Sequence, residues 1–242
     1  MKIRFLPLLL ISPLLVSCRG SVISLKEAKE IVSNLDSIIK NKSYEYKKFT
    51  FKYSLINGEE SRFVKGTYDK SSQYYTTYIV DHIKNEEGEL VYKTKEYWTY
   101  VKNNSSNVKK FYDLVRYDGA VNANGEPLVT YIDGDAPKDY KEELWTNKID
   151  GIFLDFHTSY FESTLSTISS LINYKEITED ANVSISSQDG VSLFVEAEVE
   201  YAKHLYEIED GKLKKASIYI DDEHQKTFEC NYHQATVTYL NL

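Results

Sequence analysis

The sequence predicts a β-rich α+β fold: an antiparallel sheet accompanied by helices, the first of them amphipathic and N-terminal. Two observations on hydropathic period predict it. Apolar residues recur at spacings of three and four from Leu25 to Ile39 and again from Leu154 to Ile172, the period of a helix with one buried stripe. Elsewhere the period falls to two, in runs rich in Tyr, Phe, Val and Ile, which is the pattern of strands with one wet face. A third observation is the punctuation: Asn57-Gly58 and Asp210-Gly211 are strong hairpin signals. With 242 residues, the chain is long enough to bury about 70% of its unfolded surface. A single β-rich domain of that length is ordinary, and no break in composition divides it, so residues 24–242 are read as one domain.

The chain opens on Lys2 and Arg4, followed by an apolar run from Phe5 to Val16 broken by Pro7, Ser12 and Pro13. The run is too short to span a bilayer and has the order of an export leader. Taking away residues 1–17, with both cations, leaves 225 residues at a formal charge of −10. Residues 18–23 form a short tether, of about 20 Å when fully extended. A helix is predicted over 25–40. Ser24 and Glu27 fit a capping box, Leu25, Ala28, Ile31, Val32, Leu35, Ile38 and Ile39 make the stripe, and Asn41 is a stop.

Strands come next. Phe49, Phe51, Tyr53 and Leu55 alternate with Lys48, Thr50, Lys52 and Ser54. Residues 61–69 and 73–84 repeat the pattern. After a turn at 85–88, a long strand passes Tyr92, Trp98 and Tyr100, and 108–117 returns, completing a five-strand meander. Residues 118–134 carry Gly119, Gly125, Pro127 and Gly134 with little period and are read as a loop. Asp135 is placed to cap a short helix reaching Leu144 and Trp145. A longer helix over 153–174 has Phe161, Leu165, Ile168 and Ile172 on its stripe and many Ser and Thr on the rest. The last third is β again: 183–186, then Val191, Leu193, Val195, Ala197, Val199 and Tyr201 facing one way, then 213–220 and 226–239.

Two resemblances add to this reading. Leu15-Val16-Ser17-Cys18 resembles the bacterial lipobox. The resemblance implies that Cys18 carries a covalent diacylglycerol, that the leader is cut before it, and that the body sits on the extracytoplasmic face of the bacterial cell membrane. Two acyl chains suffice for stable anchoring. No other cofactor is expected. Cys230 is the one other cysteine, so an acylated Cys18 leaves it no partner within the chain. On one strand face with Phe228 and Tyr232, it reads as a small buried hydrophobe.

The order of helix, meander, helices and meander, with "DGKLKKASIYID" at 210–221 and "KTFECNY" at 226–232, resembles the periplasmic lipoprotein-carrier (LolA-like) fold over most of residues 24–242. That fold is a single curved antiparallel sheet, an incomplete barrel, closed by helices. It implies an apolar cleft between sheet and helices for a lipid-like ligand or an envelope protein. Its candidate lining here is Phe49, Phe51, Tyr53, Trp98, Tyr100, Phe161, Leu165, Ile168, Val195 and Val199. The same residues also suit a filled core. The known carriers are soluble, and an anchored chain departs from them.

Other functions lack a basis in the residues. The acidic balance is the opposite of a nucleic-acid footprint. There is no Gly-x-Ser-x-Gly, no Walker loop and no dinucleotide fingerprint. His82, His157, His204, His224 and His233 share no metal-ligand spacing, so neither a metal nor an enzyme is expected. Asp133-Gly134-Asp135 and Asp221-Asp222-Glu223-His224 read as polar turns, lacking the regular ligands of a calcium loop. A rival to the cleft is an exposed platform of Tyr74, Tyr75, Tyr78, Tyr97 and Tyr100, suited to a glycan or a protein.

Overall fold

A computed structural model describes residues 20–41, 48–71, 74–94, 99–102, 109–135, 138, 141–221 and 224–232. Helix α1 spans Leu25–Lys40. Both arms of its capping box form: the Ser24 hydroxyl accepts from the Glu27 amide at 3.3 Å, and the Glu27 carboxylate accepts from the Ser24 amide at 2.8 Å. Those bonds satisfy donors that a helix start otherwise leaves open. Ala28, Ile31, Val32, Leu35 and Ile39 are buried along one stripe.

The first meander comprises β2 (Lys48–Asn57), β3 (Glu60–Asp69), β4 (Tyr74–Lys84), β5 (Leu90–Thr94), β6 (Thr99–Lys102), β7 (Lys109–Val121) and β8 (Pro127–Gly134), preceded by the short β1 (Ser21–Val22). Helix α2 (Glu142–Ile177) follows, then β9 (Asn182–Ser187), β10 (Leu193–Val199), β11 (Ala202–Glu209), β12 (Lys212–Asp221) and β13 (His224–Asn231). All pairs are antiparallel, in the order β1-β9-β10-β11-β12-β13-β2-β3-β4-β6-β7-β8, with β5 beside β4. The two meanders join at β13–β2, where Phe228 faces Tyr53 and Cys230 faces Phe51. Among the described residues the two ends, β1 and β8, do not pair, so the sheet is open.

Registers divide the sheet into two faces. Phe49 and Phe51 of β2, Val64 and Tyr68 of β3, Ile79 of β4, Phe228 and Cys230 of β13 and Val195 of β10 share the inner face. They form one apolar cluster with the buried stripes of α1 and α2.

Four sequence expectations are corrected. Residues 118–134 are not a loop: β7 continues to Val121 and β8 begins at Pro127. A register shift between Tyr117 and Val121 interrupts the period there, which hid the strands. The Asn122 side chain closes the turn by accepting from the amides of Asn124 and Glu126, and Pro127 opens a strand at the sheet's end, where a missing N–H is tolerated. The two helices expected after Asp135 are one α2, starting at Glu142 after an N-cap, Lys141, whose side chain makes no capping bond. Gly151 interrupts the apolar pattern but costs about 1 kcal/mol, too little to break a helix. The strand expected through Tyr201 ends at Val199. Glu200 (φ 54°) and Tyr201 make a two-residue turn into β11, with Val191 and Tyr201 exposed. Finally, residues 21–23 of the expected tether are bound to the sheet: Ser21 and Val22 pair with Ser187 and Ser186, and the Ile23 amide donates to the Ile185 carbonyl at 3.1 Å. Gly20 lies against Ser187 with φ +82°, where a side chain would overlap the Ser187 carbonyl. The leader, Cys18, Trp98 and residues 233–239 of the last expected strand lie outside the described residues.

Candidate functional site

Six of the ten expected cleft residues are fully buried: Phe49, Phe51, Phe161, Leu165, Ile168 and Val195. They touch one another through aromatic partners. Phe49 stacks on Tyr68 with centroids 5.0 Å apart, Phe51 on Phe228 at 6.3 Å, and Phe228 on Tyr160 at 4.5 Å. Pairs at such distances leave no room for a ligand between them. Tyr53 and Val199 are half-buried at the margin of the same cluster. Trp98 lies outside the described residues. Tyr100 pairs with Tyr75 in β4, and nothing beyond its backbone is described.

At the centre of this core is His157, 0% exposed, for which spacing in the sequence offered no role. Its ring lies 5.8–6.0 Å from those of Phe49, Phe161, Phe228 and Tyr232. The Tyr232 hydroxyl donates to the Leu213 carbonyl at 2.8 Å and also meets His157 Nε2. A phenol has one proton, so Nε2–H donates to the Tyr232 oxygen. Burial lowers the His157 pKa to about 4, against an opposing backbone interaction at Leu213. Cys230 is 4% exposed, as its strand parity implied. Burial pushes its thiol up to about 12, far from the thiolate that a nucleophile needs.

Past Tyr53 and Val199 the inner face continues, half-open, along the side of α2. Leu55, His204, Ile218 and Lys226 lie here by register and are half-buried. Asp81 grips Arg62 through two bonds of 2.6 and 2.8 Å. The Lys226 ammonium stands 5.3 Å over the Tyr160 ring, close enough for cation–π attraction. Burial raises the Tyr53 pKa, with Arg62 opposing. Burial also raises that of Tyr160, helped by Tyr53 and Tyr206. Both phenols are therefore neutral donors. The arrangement can hold a ligand by packing and hydrogen bonds.

The tyrosine platform is corrected at Tyr78. Tyr78 is buried with Val80 against Phe63, Tyr117 and Val129. The side chains of Tyr74 and Tyr75 lie outside the described residues. Tyr97 lies outside the described residues. Among the described residues no group of three His, Cys, Asp or Glu is placed to hold a metal, and no helix is long and apolar enough to cross a membrane.

On the outer face the β7–β8 hairpin folds across β2 and β3 and is pinned there by Glu126. Its carboxylate meets Lys65 at 2.8 Å and Lys52 at 3.1 Å and accepts from the Asn122 amide at 3.2 Å. Burial pulls the Glu126 pKa upward, but the two lysines outweigh it and hold the carboxyl at about 2. The stabilisation is thus full above about pH 4.5 and lost as pH falls towards 2. Glu126→Gln is expected to cost about 1–2 kcal/mol, since both lysines are partly solvated. Hydrogen exchange should quicken in residues 122–130 and stay unchanged in α1.

Compared with family models, with curated proteins and with solved structures, the chain gives no match.

Proposed function

We propose that this chain is a lipid-anchored, non-enzymatic lipoprotein on the extracytoplasmic face of the bacterial cell membrane. Its body is an incomplete barrel, a curved sheet closed on its inner face by α1 and α2. It binds an apolar, lipid-like ligand or an envelope protein at the mouth between the sheet and α2. The observation that carries this reading is the division of the inner face. Six expected lining residues are consumed in the core, while Tyr53 and Val199 border a half-open surface of Leu55, His204, Ile218 and Lys226. A mouth that mixes branched apolar chains, neutral phenols and one ammonium suits an amphiphile better than a buried cavity does. The anchor rests on the leader and on Leu15-Val16-Ser17-Cys18.

Cys18→Ser should move the protein from the membrane fraction to the soluble one, and undiminished membrane retention would refute the anchor. The soluble Cys18→Ser protein, extracted and analysed by mass spectrometry, should carry or take up a diacyl phospholipid. Ile218→Glu, which sets a charge in the mouth and outside the core, should abolish uptake. A protein that carries no lipid and captures no envelope protein by cross-linking from Ile218 would end the binding proposal.

A further inference from the structure

An open cleft of about 450 Å³ lies between the outer face of the sheet and the β7–β8 hairpin, a size typical of small-molecule sites. Its floor is one cross-strand row: Thr227 of β13, Ser54 of β2, Phe63 of β3 and Val80 of β4. Half of that row is apolar. The other half is a pair of hydroxyls, Ser54 Oγ and Thr227 Oγ1, 2.5 Å apart. One end of the cleft is aromatic. Tyr92 lies flat on His82, with centroids 4.3 Å apart and planes at 17°, and Tyr117 meets Tyr92 edge-on at 4.8 Å and 88°. These contacts fix the ring while leaving Tyr92 50% exposed. The other end is polar, with Lys52 between Glu126 and Glu229 at 3.1 and 3.3 Å and Asn124 on the hairpin above.

The charges decide what such a cleft would hold. Lys52 is balanced by two carboxylates, and Arg62 is held by Asp81, so no surplus charge draws an anion or a cation. Ser54 and Thr227 hydrogen-bond each other, which leaves one hydroxyl proton and free lone pairs for a guest, so a guest with polar groups suits this floor better than a purely apolar one. The remaining chemistry is a neutral molecule with an apolar face and a polar rim. The geometry points to a saccharide site: an uncharged sugar packs its C–H groups against the exposed part of Tyr92 while Ser54, Thr227, Asn124 and Glu229 meet its hydroxyls. Each of these groups is an acceptor or a donor–acceptor, as sugar hydroxyls need, and the fixed aromatic ring supplies a rigid apolar surface. The floor row is on the opposite face of the sheet from the mouth beside α2, and although Leu55 and Arg62 border both, Tyr92 and Glu229 belong to this cleft alone, so variants there test it separately.

The test uses the soluble Cys18→Ser protein on an array of neutral and acidic oligosaccharides, with hits measured by saturation-transfer NMR. Neutral oligosaccharides should bind, and Tyr92→Ala and Glu229→Gln, both at exposed positions, should each weaken binding about tenfold or more. Tyr174→Ala, on the helical layer, should change nothing. Retention of acidic sugars alone, no retention of neutral ones, or binding indifferent to both cleft variants would overturn the assignment.

Discussion

Gly66→Ala is expected to lower stability by about 3 kcal/mol, at the upper end of the cost of overpacking a core. At an ordinary strand position the same change is neutral or mildly favourable, because alanine loses less backbone freedom on folding. Gly66 differs because it faces Phe51 across the β2–β3 pair. A Cβ there would fall 2.3 Å from Phe51 Cε1 and 2.4 Å from Cζ. The ring cannot swing away, for it is wedged between Phe49 and Phe228 at 6.1 and 6.3 Å. The urea midpoint should fall with little change in slope. In a Phe51→Leu background the added methyl should cost much less, because the clashing ring atoms are gone. A double-mutant cycle showing no coupling would refute the account.

The second large effect is acid loss of stability through His157. In the unfolded chain its pKa is the ordinary 6.5, and burial lowers it to about 4 in the fold. Between these values the unfolded state binds more protons, so stability rises with pH across this window. The contribution is therefore intact above about pH 6.5, declines as pH falls, and is exhausted below about pH 4. The difference amounts to about 3 kcal/mol. His157→Leu should flatten the slope between pH 6.5 and 4, while Tyr232 keeps its bond to the Leu213 carbonyl. Denaturation series at several pH values in both proteins would decide it. An unchanged slope in the variant would place the acid sensitivity elsewhere.

Much of the fold was legible because solvent writes a local period. α1 alternates between water and core every three to four residues, and the structure has its start at Leu25 and its box at Ser24 and Glu27. β2 could be read residue by residue, since Phe49 and Phe51 face the core while Lys48, Thr50 and Lys52 do not. The burial of Cys230 followed from the same parity. The β7–β8 hairpin was not legible, because a register shift between Tyr117 and Val121 breaks the alternation that a strand otherwise displays. The single α2 was not legible either, since Asp135 has the form of a cap, whereas the helix begins at Glu142 after Lys141, which makes no capping bond through its side chain.

For the candidate sites the limit was more basic. A cavity wall and a core wall have the same inward alternation, and only the meeting of Phe49 with Tyr68 and of Phe228 with Tyr160 tells them apart. The outer cleft was invisible for a related reason: Tyr92 and His82 come from one hairpin, but Ser54, Thr227 and Glu126 reach it from far along the chain. By itself the sequence determined the helix stripes, the strand faces and the hairpin signals, all of which depend on neighbours within a few residues. The tertiary structure alone decided that β13 lies beside β2, that Gly66 must lack a side chain, and that His157 is buried. Each of those outcomes depends on atoms brought close by folding across about seventy residues or more, or, for Gly66, across a pair of strands whose rings fill the space between them.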